Sequence, residues 1–260
     1  MKMLNIFAVM FGLIIPFVCF AEIEKISDLD QKLYYPQDQS LKDLYLEAEI
    51  VGLSELVKKR LDNPKIQEIK FKIYWLFPGK ISIDVEGING FEELKTELKM
   101  MIAEKLDLII PEKMGQKFRS YTMKKKTGGI DLVDETGDKL ISKVSIDLDD
   151  NDVIKKVRVL GAGIDNTINY KATVKRWATN RYSFDKVDIE NVQLGRKSKR
   201  VDEISYGVVQ GYGLPFEITT QQYMEMENSK EKPQTSTIVY KFKNYRANEG
   251  IALKYFNSKK

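Results

Sequence analysis

Apolar and polar residues alternate with a period of two over much of this chain, and this pattern limits its fold more than any other feature. The clearest stretch reads Ile168, Asn169, Tyr170, Lys171, Ala172, Thr173. Successive side chains of a β-strand point to opposite faces, so the pattern predicts strands with one buried and one solvated face. From residue 116 onward it predicts an antiparallel meander of about ten strands, over residues 118–125, 130–134, 140–148, 153–160, 167–177, 184–194, 204–209, 216–226, 235–243 and 251–256.

A β-hairpin is predicted before this meander. Residues 69–75 and 81–85 alternate in the same way and flank the turn residues Pro78 and Gly79. Two amphipathic strands joined by a short turn are typical of a hairpin with one apolar face.

Two helices are predicted on either side of the hairpin. Apolar residues recur at helical spacing over residues 40–61, before Pro64, and again over residues 91–106. One-sided strands and two helices together predict an α+β fold. We expect a curved antiparallel sheet that forms an unclosed β-barrel, with about two helices packed on its concave face. Residues 22–260 are expected to form one domain.

The N-terminus has the pattern of a secretory signal peptide. Lys2 precedes an apolar run over residues 6–20, and the small residue Ala21 follows it. The run contains a glycine and a proline and is short for a bilayer span, which needs about 20 apolar residues. A retained N-terminal anchor is the alternative. We expect residues 1–21 to be cleaved and the mature chain to be periplasmic.

The composition excludes several classes of functional site. The chain has no histidine, and its one cysteine, Cys19, lies in the expected signal peptide. Ser-His-Asp and Cys-His catalysis and zinc sites with imidazole or thiolate ligands are therefore excluded from the mature chain. We predict no catalytic residues, no metal site, no cofactor and no enzymatic activity. A carboxylate pair stays open as an alternative, because 38 acidic residues always permit one.

Four features carry a resemblance to a known family. They are the signal peptide followed by a helix, the strand-turn-strand of residues 71–81, the Leu-Pro turn between strands in residues 204–218, and the closing run of residues 238–251, which leads into an apolar segment near Phe256. In these features the chain is similar to the outer-membrane lipoprotein carrier (LolA/LolB-like) family, which includes periplasmic lipid-binding proteins.

The resemblance implies an unclosed β-barrel roofed by helices around an apolar cavity for acyl chains. The helix at residues 91–106 stands where the family usually continues with strands, so no gating residue is transferred. The implied function is an exported periplasmic carrier that binds acyl chains of lipoproteins or lipids and shuttles them toward the outer membrane. Inner-membrane donor and outer-membrane acceptor proteins are the implied partners. The alternative is a non-enzymatic envelope scaffold with a filled core.

Inward-facing apolar residues are the candidates for lining such a cavity. They are Ile69, Phe71, Ile73, Trp75, Ile81, Ile83, Phe91, Leu94, Leu98, Met101, Ile168 and Tyr170. For each of them an ordinary position in a packed core is the alternative. Trp75 fluorescence is expected to respond to a bound fatty chain, and Trp177, expected on the opposite face of its strand, is not.

Two basic clusters, residues 124–126 and 196–200, flank predicted turns. They are candidates for transient contact with anionic lipid head groups, and solvated hairpin tips are the alternative. The formal net charge of +4 is small for a chain with 31% charged residues, so no nucleic-acid partner is expected.

Overall fold

The computed structural model describes residues 26–63, 65–193, 196–226 and 234–259. The predicted signal peptide, residues 1–21, lies outside these ranges. In the described part of the chain, no helix is both long enough and apolar enough to cross a bilayer.

A single antiparallel sheet of twelve strands organises the described residues. Its spatial order is β3-β2-β1-β12-β11-β10-β9-β8-β7-β6-β5-β4, so nearly all neighbours are consecutive in sequence and β1 joins β12. β3 and β4 are the two edges, and the sheet is not closed into a barrel. The strands are β1 (Asp43–Ile50), β2 (Lys70–Leu76), β3 (Lys80–Glu86), β4 (Thr122–Lys126), β5 (Gly129–Val133), β6 (Ile141–Leu148), β7 (Ile154–Gly161), β8 (Ile164–Lys175), β9 (Arg181–Gln193), β10 (Arg196–Val209), β11 (Tyr212–Met226) and β12 (Gln234–Ala247).

Five helices accompany the sheet in the described residues, where about two were expected. They are α1 (residues 26–32), α2 (Leu53–Leu61), α3 (Glu92–Ile109), α4 (Met114–Lys117) and α5 (Ile251–Ser258). Three of them have eight or fewer described residues, which is too short for a helical period to stand out from the sequence. The predicted α+β class, the antiparallel hairpin of β2 and β3, and the long helix now called α3 are confirmed.

The predicted helix over residues 40–61 is wrong in its first half, which forms β1. A spacing of four residues, as between Leu46 and Ile50, fits both a helix and a strand, so periodicity alone did not separate them. Pairing with β2 on one side and β12 on the other decides the outcome, because it buries every second side chain of the segment. Gly52 then adopts φ +77° and turns the chain into α2.

The predicted strand over residues 251–256 is also wrong, because this segment forms α5. Asn248 and Gly250 have φ values of +59° and +73°, which turn the chain away from the sheet after β12. The carboxylate of Asp43 then accepts a hydrogen bond of 2.7 Å from the backbone N–H of Leu253 in the first turn of α5. A six-residue apolar run fits either element, and this cap selects the helix.

Helices lie on both faces of the sheet. α1 and α3 pack on one face, which we call the inner face. α5 packs on the opposite, outer face, where Tyr255 stacks on Tyr74 of β2 with ring centroids 3.8 Å apart. Tyr74 alternates with the fully buried Ile73, so the two side chains face opposite layers.

Two apolar cores lie on the inner face. The larger core joins α2 and α3 to β1, β2, β11 and β12, and the smaller core joins α1 to β5, β6 and β7. Ile168, Tyr170 and Phe184 are only partly buried and pack against both cores. The two cores therefore meet above β8 and β9, and this junction is the place to look for a site.

Candidate functional site

A cleft of about 240 Å³ opens on the inner face at the junction of the two cores. One wall is the C-terminal end of α3, with Leu108 and Ile109, and another is the segment 33–36 that follows α1. The floor is formed by β7, β8 and β9 and is mostly apolar: Ile154, Ile168, Tyr170, Phe184, Val187 and Ile189. Each helix packs on its own core, and the cleft is the space left between them.

The segment 33–36 is fixed to the sheet and to the connection after α3. The backbone N–H of Tyr34 donates to the carbonyl of Tyr182 in β9 at 2.8 Å. The side-chain amide of Gln37 donates to the carbonyl of Pro111 at 3.0 Å, which joins the two walls directly. The chain therefore builds this side of the cleft from segments more than 70 residues apart.

The carboxylate of Asp30 ties α1 to α4. It accepts hydrogen bonds from the backbone N–H groups of Met114 at 2.9 Å and Gly115 at 3.1 Å, and from the hydroxyl of Tyr35 at 2.8 Å. Burial and the neighbouring charge of Asp30 raise the pKa of Tyr35 well above its usual range, so its hydroxyl stays a proton donor.

Aromatic rings close one end of the cleft. The ring of Trp177 packs edge-on against Tyr34, with centroids 4.9 Å apart, and lies 5.3 Å from the ring of Tyr206. The same indole covers Gly213 so closely that a Cβ there would lie 1.9 Å from a ring carbon. The N–H of Gly213 donates to the hydroxyl of Tyr34 at 2.9 Å, and burial raises the pKa of Tyr34 to about 12. These contacts make the end of the cleft rigid.

Charged residues lie directly beside the apolar floor, because Asp202 and Arg200 of β10 pair with Val187 and Ile189 of β9. Lys105 of α3 donates through Nζ to Oδ1 of Asp202 in β10 at 2.6 Å, and both side chains are 1% exposed. The hydroxyl of Thr220 donates to the same oxygen at 2.5 Å. Arg200 donates through Nη1 to Glu104 at 2.8 Å. Asp202, Arg200 and Glu104 line the cleft, so its apolar floor ends at a charged network.

Burial dominates the electrostatics of this network. Removal from water lowers the pKa of Lys105, and the adjacent carboxylate of Asp202 opposes that shift. The ammonium group also lies 5.0 Å from the ring centroid of Tyr240, within reach of a cation–π contact. The ion pair therefore attaches α3 to the centre of the sheet.

Two of the predicted lining residues, Ile168 and Tyr170, lie in the floor of the cleft. The others lie away from it. Ile69, Phe71, Ile73, Trp75 and Leu98 are buried in the larger core, and Ile83, Phe91, Leu94 and Met101 pack against it partly buried. Ile81 is 47% exposed on the edge strand β3. The structure thus separates ten of the candidates from the two that share the cleft.

Sequence reasoning missed the charged network beside the floor. Arg200 was counted within a basic cluster beside a turn, and Lys105 and Asp202 were not singled out. A lysine among the apolar residues of α3 and an aspartate among the inward positions of β10 were the available signals. Their 97-residue separation hid the pairing, since only the fold brings them together.

No protein-family model, curated protein or solved structure matches the chain. Within the described residues, no group of three or more His, Cys, Asp or Glu side chains is placed to hold a metal ion. The likeness to lipoprotein carriers therefore stays a prediction from the sequence.

Proposed function

We propose that this protein is an exported, non-enzymatic carrier that binds acyl chains of lipoproteins or lipids in the cleft between α3 and the floor of β7–β9. The observation that carries the proposal is the apolar floor left open between two separately packed cores. A ligand tail would complete the packing that neither α1 nor α3 supplies.

The size of the cleft sets the length of tail that it accepts. A volume of about 240 Å³ holds about eight water-sized groups, so an acyl tail of about eight carbons fits. Burial of each methylene contributes about 0.8 kcal/mol, and eight would contribute about 6 kcal/mol before the cost of ordering the chain. A ligand of this length therefore binds no more tightly than about 40 μM and is released readily, as a carrier requires.

The charged residues around the cleft favour a ligand that binds and leaves in water over one that stays permanently buried. Lys117 pairs with Asp107 at 3.0 Å on the exposed rim, where an ion pair is worth little and opens easily. In the basic clusters, Lys124 pairs with Glu135 at 3.1 Å and Lys199 with Glu190 at 3.1 Å. These pairs favour the solvated interpretation of the clusters, and contact with a membrane or with donor and acceptor proteins remains part of the proposal.

Native mass spectrometry of the mature protein purified from a bacterial periplasm tests this function. We expect co-purified lipid or lipoprotein, and uptake of a fluorescent fatty acid by the stripped protein. An empty protein that takes up no fatty acid would contradict the carrier and favour the scaffold with a filled core.

A variant that fills the cleft locates the binding. Ile189→Trp places a bulky ring on the floor and should weaken fatty-acid binding about 30-fold, because two or three methylenes lose their place. Val192→Trp lies on the same strand at a position that is 53% exposed and serves as the matched control. Equal weakening by both variants would count against the cleft as the site.

A further inference from the structure

The two edge strands of the sheet differ in their protection against pairing with another chain. β3 and β4 each have one neighbouring strand, β2 and β5, so the other side of each edge has no strand partner in the described residues. Such an edge can accept a further strand through its backbone groups, and proteins usually prevent this with lysines, prolines or inward-pointing charges. The residues of each edge therefore indicate whether it accepts a partner.

The edge strand β4 has this protection. Its sequence is Thr-Met-Lys-Lys-Lys, which ends in three consecutive lysines. Lys125 stands opposite Ile130, which is 1% exposed, so a charged residue occupies an inner-face position at this edge. A second chain on β4 would have to pack against these charges, and β4 is therefore unsuited to pairing with a copy of itself.

The edge strand β3 lacks this protection. It has no proline, and its only lysine is its first residue, Lys80. Ile81, Ile83 and Val85 stand opposite buried residues of β2 and therefore occupy inner-face positions. Ile81 is 47% exposed, whereas Ile83 and Val85 pack partly buried against the larger core. An apolar edge of seven residues is thus open to another strand.

We propose that two copies of this chain pair through β3 as an antiparallel, two-fold symmetric dimer, with Ile83 of one copy opposite Ile83 of the other. Residues directly opposite each other in antiparallel strands lie on the same face, and this register is the one that pairs all seven residues of the strand. It places Ile81 opposite Val85 on the inner face and Lys80 opposite Glu86 on the outer face. The symmetry makes each of these pairs occur twice.

Charge complementarity favours a second copy as the partner. Lys80 is exposed and has no ionic partner in the described part of the chain. Glu86 pairs with Lys72 at 2.6 Å, but its side chain is still 48% exposed and can accept a second ammonium group. Opposite charges directly across two antiparallel strands stabilise the pairing, and like charges destabilise it. A register centred on Asp84 would instead place two carboxylates opposite each other.

The dimer leaves the cleft accessible, so it does not depend on the proposed function. Five strands lie between β3 and β9 in the sheet. One pair of strands forms a small interface, and we expect a reversible dimer with a dissociation constant of about 0.1 mM.

Sedimentation velocity of the purified protein from about 5 μM to about 500 μM tests the dimer, because this range spans the expected dissociation constant. We expect the mass of one chain at the low end and an increasing share of dimer at the high end. Lys80→Glu and Glu86→Lys should each raise the dissociation constant at least about tenfold, because like charges then face each other twice. Lys124→Glu, on the other edge strand, is the matched control and should leave the dimer unchanged.

An equimolar mixture of Lys80→Glu and Glu86→Lys tests the register. In a mixed dimer, every introduced charge faces an opposite charge across the two-fold axis, so the mixture should recover the affinity of the native protein. Circular dichroism of each variant checks that it is folded. A native protein that stays monomeric, a mixture that does not recover, or assemblies that grow beyond the dimer would overturn the proposal.

Discussion

Gly213 shows how one residue fixes the end of the cleft. The absent side chain is what allows the ring of Trp177 to lie against the backbone of β11. The backbone angle there is not the left-handed one that favours glycine, so the constraint is purely steric. Sequence analysis had no means to find it, because a glycine followed by Leu214-Pro215 looks like any turn residue.

We predict that Gly213→Ala destabilises the protein by about 1–3 kcal/mol, because the new methyl group must displace Trp177. Chemical denaturation followed by circular dichroism measures the change. Gly207→Ala is the matched control, because its Cβ would meet only Phe216 at an ordinary 3.6 Å. A loss no larger than that of the control would contradict the packing described here.

Asp134 makes the stability of the protein depend on pH. Its buried carboxylate accepts hydrogen bonds from the hydroxyl of Thr136 at 2.6 Å and from Nζ of Lys139 at 2.7 Å. These donors, Lys139 first, hold the pKa of Asp134 well below its usual value of 3.8. A lowered folded pKa stabilises the folded state above the unfolded value, and that stabilisation is lost as the pH falls toward the folded pKa.

Asp134→Asn should therefore lower the melting temperature at pH 7, and the difference from the native protein should shrink as the pH falls below about 4. Thermal melts across this range test it, with Asp138→Asn at an exposed position of the same turn as control. A difference that stays constant from pH 7 to pH 3 would contradict the role given to the ionised carboxylate.

At the scale of elements, α3 is held by both apolar burial and one ion pair. Leu98, Ile102 and Ile109 are buried on its inner side, and Lys105 lies among them. A buried ion pair is costly to break from one side only, because the remaining charge stays in a low-dielectric environment. Its complete replacement by apolar residues often costs nothing.

We expect Lys105→Met alone to destabilise the protein by about 3 kcal/mol, since the buried carboxylate of Asp202 loses its ammonium partner and keeps only the ion pair with Arg200 at 3.1 Å. The double variant Lys105→Met with Asp202→Leu should regain most of that loss. Denaturation of both variants measures the coupling. If the double variant is as unstable as the single one, the loss of stability does not come from the charge left on Asp202, and this account of the ion pair is contradicted.

Helices and strands long enough to repeat their hydrophobic pattern several times were predictable from the sequence. Segments whose structure depends on contacts with distant parts of the chain were not. The hairpin of β2 and β3 and the eighteen-residue α3 follow from their patterns. The segment Asp43–Ile50 fits two periods equally, and it becomes a strand by pairing with β2 and with β12, which lies almost 200 residues later. Likewise, α5 depends on Asp43 as a cap, which lies 210 residues away from Leu253. Local propensity carries no information about such contacts.

For the whole molecule, the cleft results from how the cores divide the sheet. Twelve strands give an inner face too wide for one helix, so α3 and α1 each cover a part of it. The candidates from the hairpin and α3 were sensible inward residues, yet most of them fill the larger core. Ile168 and Tyr170 share the cleft because they stand at the boundary between the cores.

This arrangement changes which tryptophan should report binding. Trp75 is 4% exposed within the larger core, whereas Trp177 contacts Tyr34 and Tyr206, two residues of the cleft. We predict that a brominated fatty chain quenches the Trp75→Phe variant, which keeps Trp177, more strongly than the Trp177→Phe variant. Stronger quenching of Trp75 would place the ligand beside the hairpin, as the sequence had suggested.

Photolabelling tests the central claim most directly. The protein is loaded with a fatty acid that carries a diazirine in its tail, irradiated, and digested for peptide mapping by mass spectrometry. We predict labels on β8 and β9, around Ile168 and Val187, and on α3 near Leu108. Labels confined to the hairpin around Phe71–Trp75, or scattered over exposed residues, would contradict binding in the cleft.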